Sequence, residues 1–189
     1  MTLVRPATGA DLPAIESIHK AAFGGDAEAR LVRMVEADGD VLVSLVAGIE
    51  GATVGHVLFS RMRVVADGEP LAAVGLAPVG VLPSYQGLGV GSALIRDGLA
   101  RLPALGTGLC FVLGHASYYP RFGFSADLAA RKPARRSSSS RFDVKRDPAF
   151  RIGTPGSACC ASMNSRLRVL SVPIAKGVEN SRCRLSSVL

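Results

Sequence analysis

Val79-Gly80-Val81-Leu82-Pro83-Ser84-Tyr85-Gln86-Gly87-Leu88-Gly89-Val90-Gly91-Ser92-Ala93-Leu94 reads as an apolar strand that runs through a glycine-rich turn into a helix. The glycines leave backbone N–H groups uncovered by side chains, and the helix adds the partial positive charge of its first turn. Strand, turn and helix together predict an anion cradle between Gln86 and Gly91.

Spacing separates three phosphate-binding readings of that cradle. A P-loop ends in Gly-Lys-Ser/Thr, which brings a lysine to the phosphates and a hydroxyl to magnesium. Here the residues are Gly91-Ser92-Ala93, and the lysine is absent. A dinucleotide fingerprint needs G-x-G-x-x-G and, about twenty positions on, an acidic residue for the ribose. This chain has G-x-G-x-G and no carboxylate between Gly106 and Val112. The third pattern, Q/R-x-x-G-x-G/A between a strand and a helix, is met by Gln86, Gly89 and Gly91, with Leu82-Pro83 closing the strand. A glycine-rich turn also arises for steric reasons alone, so a second segment matters. Phe111-Val112-Leu113-Gly114-His115 and then Tyr118-Tyr119-Pro120-Arg121-Phe122-Gly123-Phe124 supply another strand, a short helix and a Gly-Phe pair. The two segments together resemble the GNAT acetyltransferase superfamily, in its bacterial YhbS-like branch, over roughly Leu3 to Phe124.

The resemblance implies an α/β (α+β) fold: a mixed, mostly antiparallel central sheet with helices on both faces and splayed fourth and fifth strands. It implies acetyl-CoA as cosubstrate, no metal, and an amine of a small molecule or a protein as acceptor, and it leaves room for a homodimer. Carried over residue by residue, the pyrophosphate loop falls on Gln86, Gly87, Leu88, Gly89, Val90, Gly91 and Ser92, and the strand that pairs with the pantetheine arm on Val79 and Val81. Gly80 between them also reads as close packing against a neighbour. Tyr119, four residues before Gly123, matches the tyrosine that protonates the departing thiolate, and Tyr118 reads as a packing residue. His115 and His56 have the right chemistry for a base, but each also reads as a structural histidine, and water relayed to solvent is a third option. A non-catalytic CoA-binding protein is the alternative from a different class.

The 189 residues, 48% of them hydrophobic, suit one domain with a real core. No apolar run reaches the roughly eighteen residues of a membrane span, and the N-terminus lacks a basic region followed by an apolar block. A cytoplasmic protein without membrane contact is expected. Cys110, Cys159, Cys160 and Cys183 show neither metal-ligand spacing nor the density of a disulfide scaffold.

Leu3 to Pro6 reads as a strand, and Thr8 with Asp11 as a capping box. Leu12, Ile15, Ile18 and Ala22 recur at helical spacing, with His19 beside the stripe as a packed or solvated residue. A second helix spans about Asp26 to Glu36 with Leu31, Met34 and Val35 inward. Val41 to Ile49 and Thr53 to Val65 form a hairpin signal. Leu71 to Leu82 returns as a strand that Pro78 must interrupt, because proline cannot donate to a central ladder. Gly91 to Leu102 is a helix, stopped by Pro103, and Leu109 to Leu113 a buried strand.

Through Phe124 there are nine Lys/Arg against eleven Asp/Glu; from Ser125 onward there are thirteen against four. The basic, serine-rich run Arg131 to Ser140 has no period. Residues 1–150 therefore read as the acetyltransferase-like domain and 151–189 as an atypical, poorly ordered tail that puts the final strand in doubt. A nucleic-acid-binding arm would explain the charge; a disordered extension or a shifted reading frame needs fewer assumptions, so nucleic acid is not an expected partner.

Overall fold

The computed structural model describes residues 1–66, 69–115, 117–126 and 167–174. Its strands are β1 (Leu3–Pro6), β2 (Val41–Ile49), β3 (Ala52–Ala66), β4 (Glu69–Val81), β5 (Leu109–His115) and β6 (Leu167–Pro173), in one sheet of that order. Neighbours are antiparallel except β4 and β5, which run parallel. The parallel pair requires a crossover, and α3 (Val90–Arg101) supplies it. Helices α1 (Leu12–Phe23) and α2 (Ala27–Ala37) precede the hairpin of β2 and β3. That hairpin turns on Glu50 and Gly51 at φ 50° and 82°, as a two-residue loop twisted to match its strands demands.

Strand β3 divides the protein by its period of two. A Cβ on Gly55 would touch Leu94 and Val90 of α3, while Val57 and Phe59 join the larger core with Leu94, Ile95, Leu102, Val112 and Phe124. Leu58 turns to the other face and packs with Ile15, Val32 and Val46 beneath α1 and α2. The helices thus cover both faces, as expected. Each buried aliphatic or aromatic side chain here contributes roughly 1.5–3 kcal/mol.

The N-terminal capping residues open a short 3-10 turn, Gly9–Asp11, rather than α1 directly. Asp11 accepts the Thr8 N–H and hydroxyl, both at 2.8 Å, and a two-pronged pairing from Arg5 at 2.7 and 2.8 Å. These bonds hold its carboxyl well below the usual carboxylate range. In α2 the buried residues are Ala29 and Val32, with Val35 half-buried, and Met34 is exposed. Two positions on from Val32, Met34 is rotated about 200° to the far side of the helix, which corrects the expected inward set. The α-helix ends at Arg101, just before Pro103 as expected, and a 3-10 turn, Leu102–Leu105, carries the chain to Gly106.

The boundary drawn at residue 150 leaves one strand beyond it. β6, inside the stretch read as a tail, pairs antiparallel with β5 from Leu109↔Pro173 to His115↔Leu167. The basic, serine-rich run and Cys159, Cys160 and Cys183 lie outside the described residues. Cys110 is free and buried, and burial pushes its thiol up to about 12.

Gly98 marks where α3 comes closest to the sheet, since a Cβ there would lie 2.1 Å from Phe59 Cε2. Alanine at a helical glycine ordinarily gains up to about 1 kcal/mol; here overlap with a buried ring reverses the sign. Gly98→Ala is expected to lower stability by about 1–3 kcal/mol in urea titration. Gly25→Ala, with nothing within 4 Å, should leave it within about 0.5 kcal/mol.

Candidate functional site

Strands β4 and β5 pair only from Ala73↔Leu109 to Leu76↔Val112. Beyond Leu76 the pairing of β4 with β3 shifts register around Pro78 and resumes as Val79↔Val57, Gly80↔His56 and Val81↔Gly55. The next residue, Leu82, donates its N–H to Val54 O at 2.9 Å. Hydrogen-bonded pairs alternate along an antiparallel ladder, so Gly80 also points its backbone groups toward β3. Val79 and Val81 therefore point theirs away from β3, toward the gap that β5 has left. The interruption expected at Pro78 and the splay of the two strands are one feature.

The glycine-rich turn closes one end of this gap. Gln86 Nε2 donates to Val81 O at 3.0 Å, tying the turn back to the end of β4. Gly87 and Gly89 have φ of 76° and 84°, a region in which a Cβ is costly. Gly89 caps α3, whose first ladder bond runs from Ala93 N–H to Gly89 O at 2.9 Å. The amides of Gly89, Val90, Gly91 and Ser92 thus stand at the open, positive end of the helix. Val90 is buried and anchors that end, whereas Leu88 is exposed. A Cβ on Gly87 or Gly89 would meet nothing within 4 Å, so the space over the turn is open. The first turn carries no acidic residue. This is an open helix start of the kind that accepts an anion.

The aromatic pair divides between two places. Tyr119 is buried, with its ring against Gly114, where a Cβ would overlap Cε2 at 2.1 Å, and edge-on to Phe124. Burial, with the field of Tyr118 added, pushes its phenol up to about 12, so it stays protonated at neutral pH. Tyr118, read as a packing residue, packs against the larger core and the rings of Tyr119 and Phe122. Its hydroxyl lies 3.4 Å from Ser92 Oγ and the same distance from where a Gly91 Cβ would be. Arg121 holds it from behind, with the guanidinium 4.5 Å from the ring centroid. The motif alone did not show this contact, since only the fold brings Tyr118 to α3.

The histidines fare unequally. His115 is exposed at the end of β5. His19, on α1, and His56, on β3, are both buried, with His19 Nε2 and His56 Nδ1 2.8 Å apart and Ser44 Oγ 3.0 Å from His56 Nε2. His19, expected to be packed or solvated, is packed, and the neighbour that Gly80 accommodates is its ring. A Cβ on Gly80 would lie 2.7 Å from His19 Nδ1. Among the described residues no group of histidine, cysteine, aspartate and glutamate side chains is arranged to hold a metal.

The family described as "Acetyltransferase (GNAT) domain" matches residues 3–126. The uncharacterized N-acetyltransferase YjhQ of Escherichia coli is 44% identical over 117 residues, 60% of this chain and 64% of that protein, so the chain spans just under two thirds of this relative. The uncharacterized N-acetyltransferase YhbS of the same organism is 37% identical over 149 residues, 76% of this chain and 86% of the relative. The structure of YhbS in complex with CoA superposes with a TM-score of 0.62 at 35% identity, over 70% of this chain and 76% of that one. A GNAT family acetyltransferase from Brucella melitensis in complex with acetyl-CoA gives a TM-score of 0.61 at 37% identity, over 66% of this chain and 83% of that one.

The two buried histidines give the fold a pH signature. Burial lowers His19 to about 4 and His56, which also feels His19, to about 3, from an ordinary 6.5. Between these values the unfolded chain binds protons that the folded chain does not, so the stability present above pH 6.5 falls as pH drops toward 4. Asp11 acts in a lower range, below its unfolded value of 3.8. The melting temperature is expected to fall from pH 7 to pH 4.5, and less steeply in His19→Phe. A flat profile in scanning calorimetry would contradict the neutral pair.

Proposed function

The chain belongs to the GNAT acetyltransferase family, and on that premise we propose that it transfers the acetyl group of acetyl-CoA to an amine of a small molecule or a protein. The observation that carries this reading is the convergence of two backbone sites on one gap. The edge of β4 at Val79 and Val81, which faces no strand among the described residues and whose Val81 carbonyl accepts from Gln86, is continuous through Gln86 with the open first turn of α3. Pantetheine carries amide groups that can pair with a strand edge, and its pyrophosphate is the anion that a helix N-terminus accepts.

Each residue then has a defined task. Gly87 and Gly89 shape the turn, and the amides from Leu88 to Ser92 receive the pyrophosphate; Val79 and Val81 align the pantetheine arm and offer N–H groups to the acetyl carbonyl. Holding donor and amine together supplies several kcal/mol of the barrier. Tyr119, protonated at neutral pH, gives its proton to the departing thiolate. Tyr118 and Ser92 add hydroxyls beside the phosphate cradle. Calorimetry with CoA, followed by thiol release over a panel of arylalkylamines, polyamines and peptides with free N-termini, tests the reading. CoA binding without thiol release would leave a binding protein; no CoA binding would remove the site.

Gly91→Val is a sharper probe of the cradle than a change at Gly89, whose positive φ would strain any replacement. A branched side chain at residue 91 would crowd Tyr118 Oη and Val81 Cγ2, already 3.4 and 3.6 Å from a Cβ. CoA affinity is expected to fall at least about tenfold, or roughly 1.4 kcal/mol, in a variant whose melting temperature is retained.

Tyr119→Phe keeps the ring on Gly114 and removes only the phenolic proton. Turnover is expected to fall by about ten- to a thousandfold, the scale of one positioned acid, with CoA affinity unchanged. Equal turnover in the two proteins would make Tyr119 a packing residue.

A further inference from the structure

Charge is scarce around the start of α3, and what is left over has one sign. From Leu71 to Ala126 the chain carries three arginines and a single carboxylate, Asp97. Asp97 is taken by Arg101, four residues on in α3. Arg96 and Arg121 remain; both are exposed, and neither pairs with a carboxylate among the described residues.

Each of these guanidinium groups lies over an aromatic ring. Arg121 is 4.5 Å from the centroid of Tyr118, and Arg96 is 5.5 Å from that of Phe122. The two rings meet edge-on at 5.5 Å and pack against the larger core. Ser92 and Arg96, four residues apart, share one face of α3. That face receives the rings, with the Tyr118 hydroxyl 3.4 Å from Ser92 Oγ. An aromatic step carrying two cations thus adjoins the first turn of the helix.

Arg121 is the better oriented of the two. Its Nε donates to the Tyr118 carbonyl at 2.9 Å, inside the 3-10 turn Tyr119–Phe122 and its cap, and its two terminal nitrogens have no partner among the described residues. A guanidinium held in this way presents two donors side by side, the arrangement that matches two oxygens of a phosphate. The fold gains little from it. A cation over an exposed ring contributes weakly, and positive charge near a helix N-terminus opposes the positive end of the dipole.

Gly91 fixes which side of the helix start this step occupies. A Cβ there would lie 3.6 Å from Val81 Cγ2 and 3.4 Å from the Tyr118 hydroxyl, so β4 stands on one side and the aromatic step on the other. We infer that Arg121 takes the 3′-phosphate of CoA through its two terminal nitrogens, with Arg96 adding positive field from the next turn of α3, so that the protein selects CoA over CoA lacking that phosphate. This rests on the CoA reading. With the pantetheine arm paired to Val79 and Val81, the adenosine at the other end of the pyrophosphate leaves on the side of Tyr118 and Arg121. Its ribose carries a phosphomonoester, close to doubly negative at neutral pH. The helix amides serve the pyrophosphate and the arginines serve the monoester, so the two anionic groups are read by different parts of the protein.

The test uses the full chain in calorimetry with CoA and with dephospho-CoA, which lacks only the 3′-phosphate. Wild-type protein is expected to bind CoA about tenfold more tightly at low salt, and the preference should shrink at high salt, where exposed charges are screened. Arg121→Gln should weaken CoA alone and bring the two affinities within about twofold of each other. Arg121→Lys keeps the charge without the fork and should retain part of the preference. Equal binding of both ligands by the wild-type protein overturns the inference and leaves the CoA reading standing. An equal loss of both ligands in Arg121→Gln also overturns it, since the arginine would then serve a group that the two ligands share. Wild-type protein that binds neither ligand overturns both. Should Arg121→Gln fail to fold, phosphorus NMR of CoA bound to the wild-type protein decides. A 3′-phosphate against a guanidinium keeps its second charge to lower pH than in free CoA; a bound signal that titrates as the free one does overturns the inference.

Discussion

Everything at the site depends on β4 losing its partner part-way along its length. For four residues it is an interior strand with neighbours on both sides; past Leu76 it keeps β3 and loses β5. A backbone edge released inside a fold carries N–H and C=O groups that must find partners elsewhere. The register shift around Pro78 decides which residues carry them, because it resets the alternation that the Leu82–Val54 bond then fixes. A ligand with its own amides satisfies that edge as a strand would, and the gap has a chemical preference before any side chain is considered.

The helices are set against this edge by absent side chains. Gly55, Gly98, Gly80 and Gly114 each receive a neighbour where a Cβ would stand: α3 side chains, the Phe59 ring, the His19 ring and the Tyr119 ring. The contacts on Gly55 and Gly98 draw α3 down onto the sheet, which brings its open first turn to the end of β4. The contact on Gly114 seats Tyr119 on β5. Close packing of this kind transmits small displacements, so the geometry of the gap is coupled to both cores.

The two cores differ in kind. The one beneath α3 is apolar and holds the larger rings, as a scaffold should. The one beneath α1 and α2 is small and contains two neutral imidazoles and a hydroxyl, with one nitrogen unpaired. A buried nitrogen without a partner costs stability. The His19 ring lies against Gly80 in the freed part of β4.

The local pattern of the chain was enough for much of this. The glycine spacing from Gln86 to Gly91 announces an open helix start, Pro78 announces a broken strand, and the alternation through β2 and β3 announces the hairpin, because each is a property of neighbouring residues. The same reasoning failed at Met34, where one apolar residue was assigned to the wrong side of a helix, and at Leu167–Pro173, whose basic surroundings hid a strand. Tertiary structure alone decided which backbone groups face the gap, since that follows from a bond between Leu82 and Val54 across two strands. It alone brought Ser44, His56 and His19 into line, and set Tyr118 beside Ser92, 26 positions away. Periodicity reports how a residue is turned relative to its own helix or strand; which residues meet across elements is set by register and packing, and no local pattern encodes those.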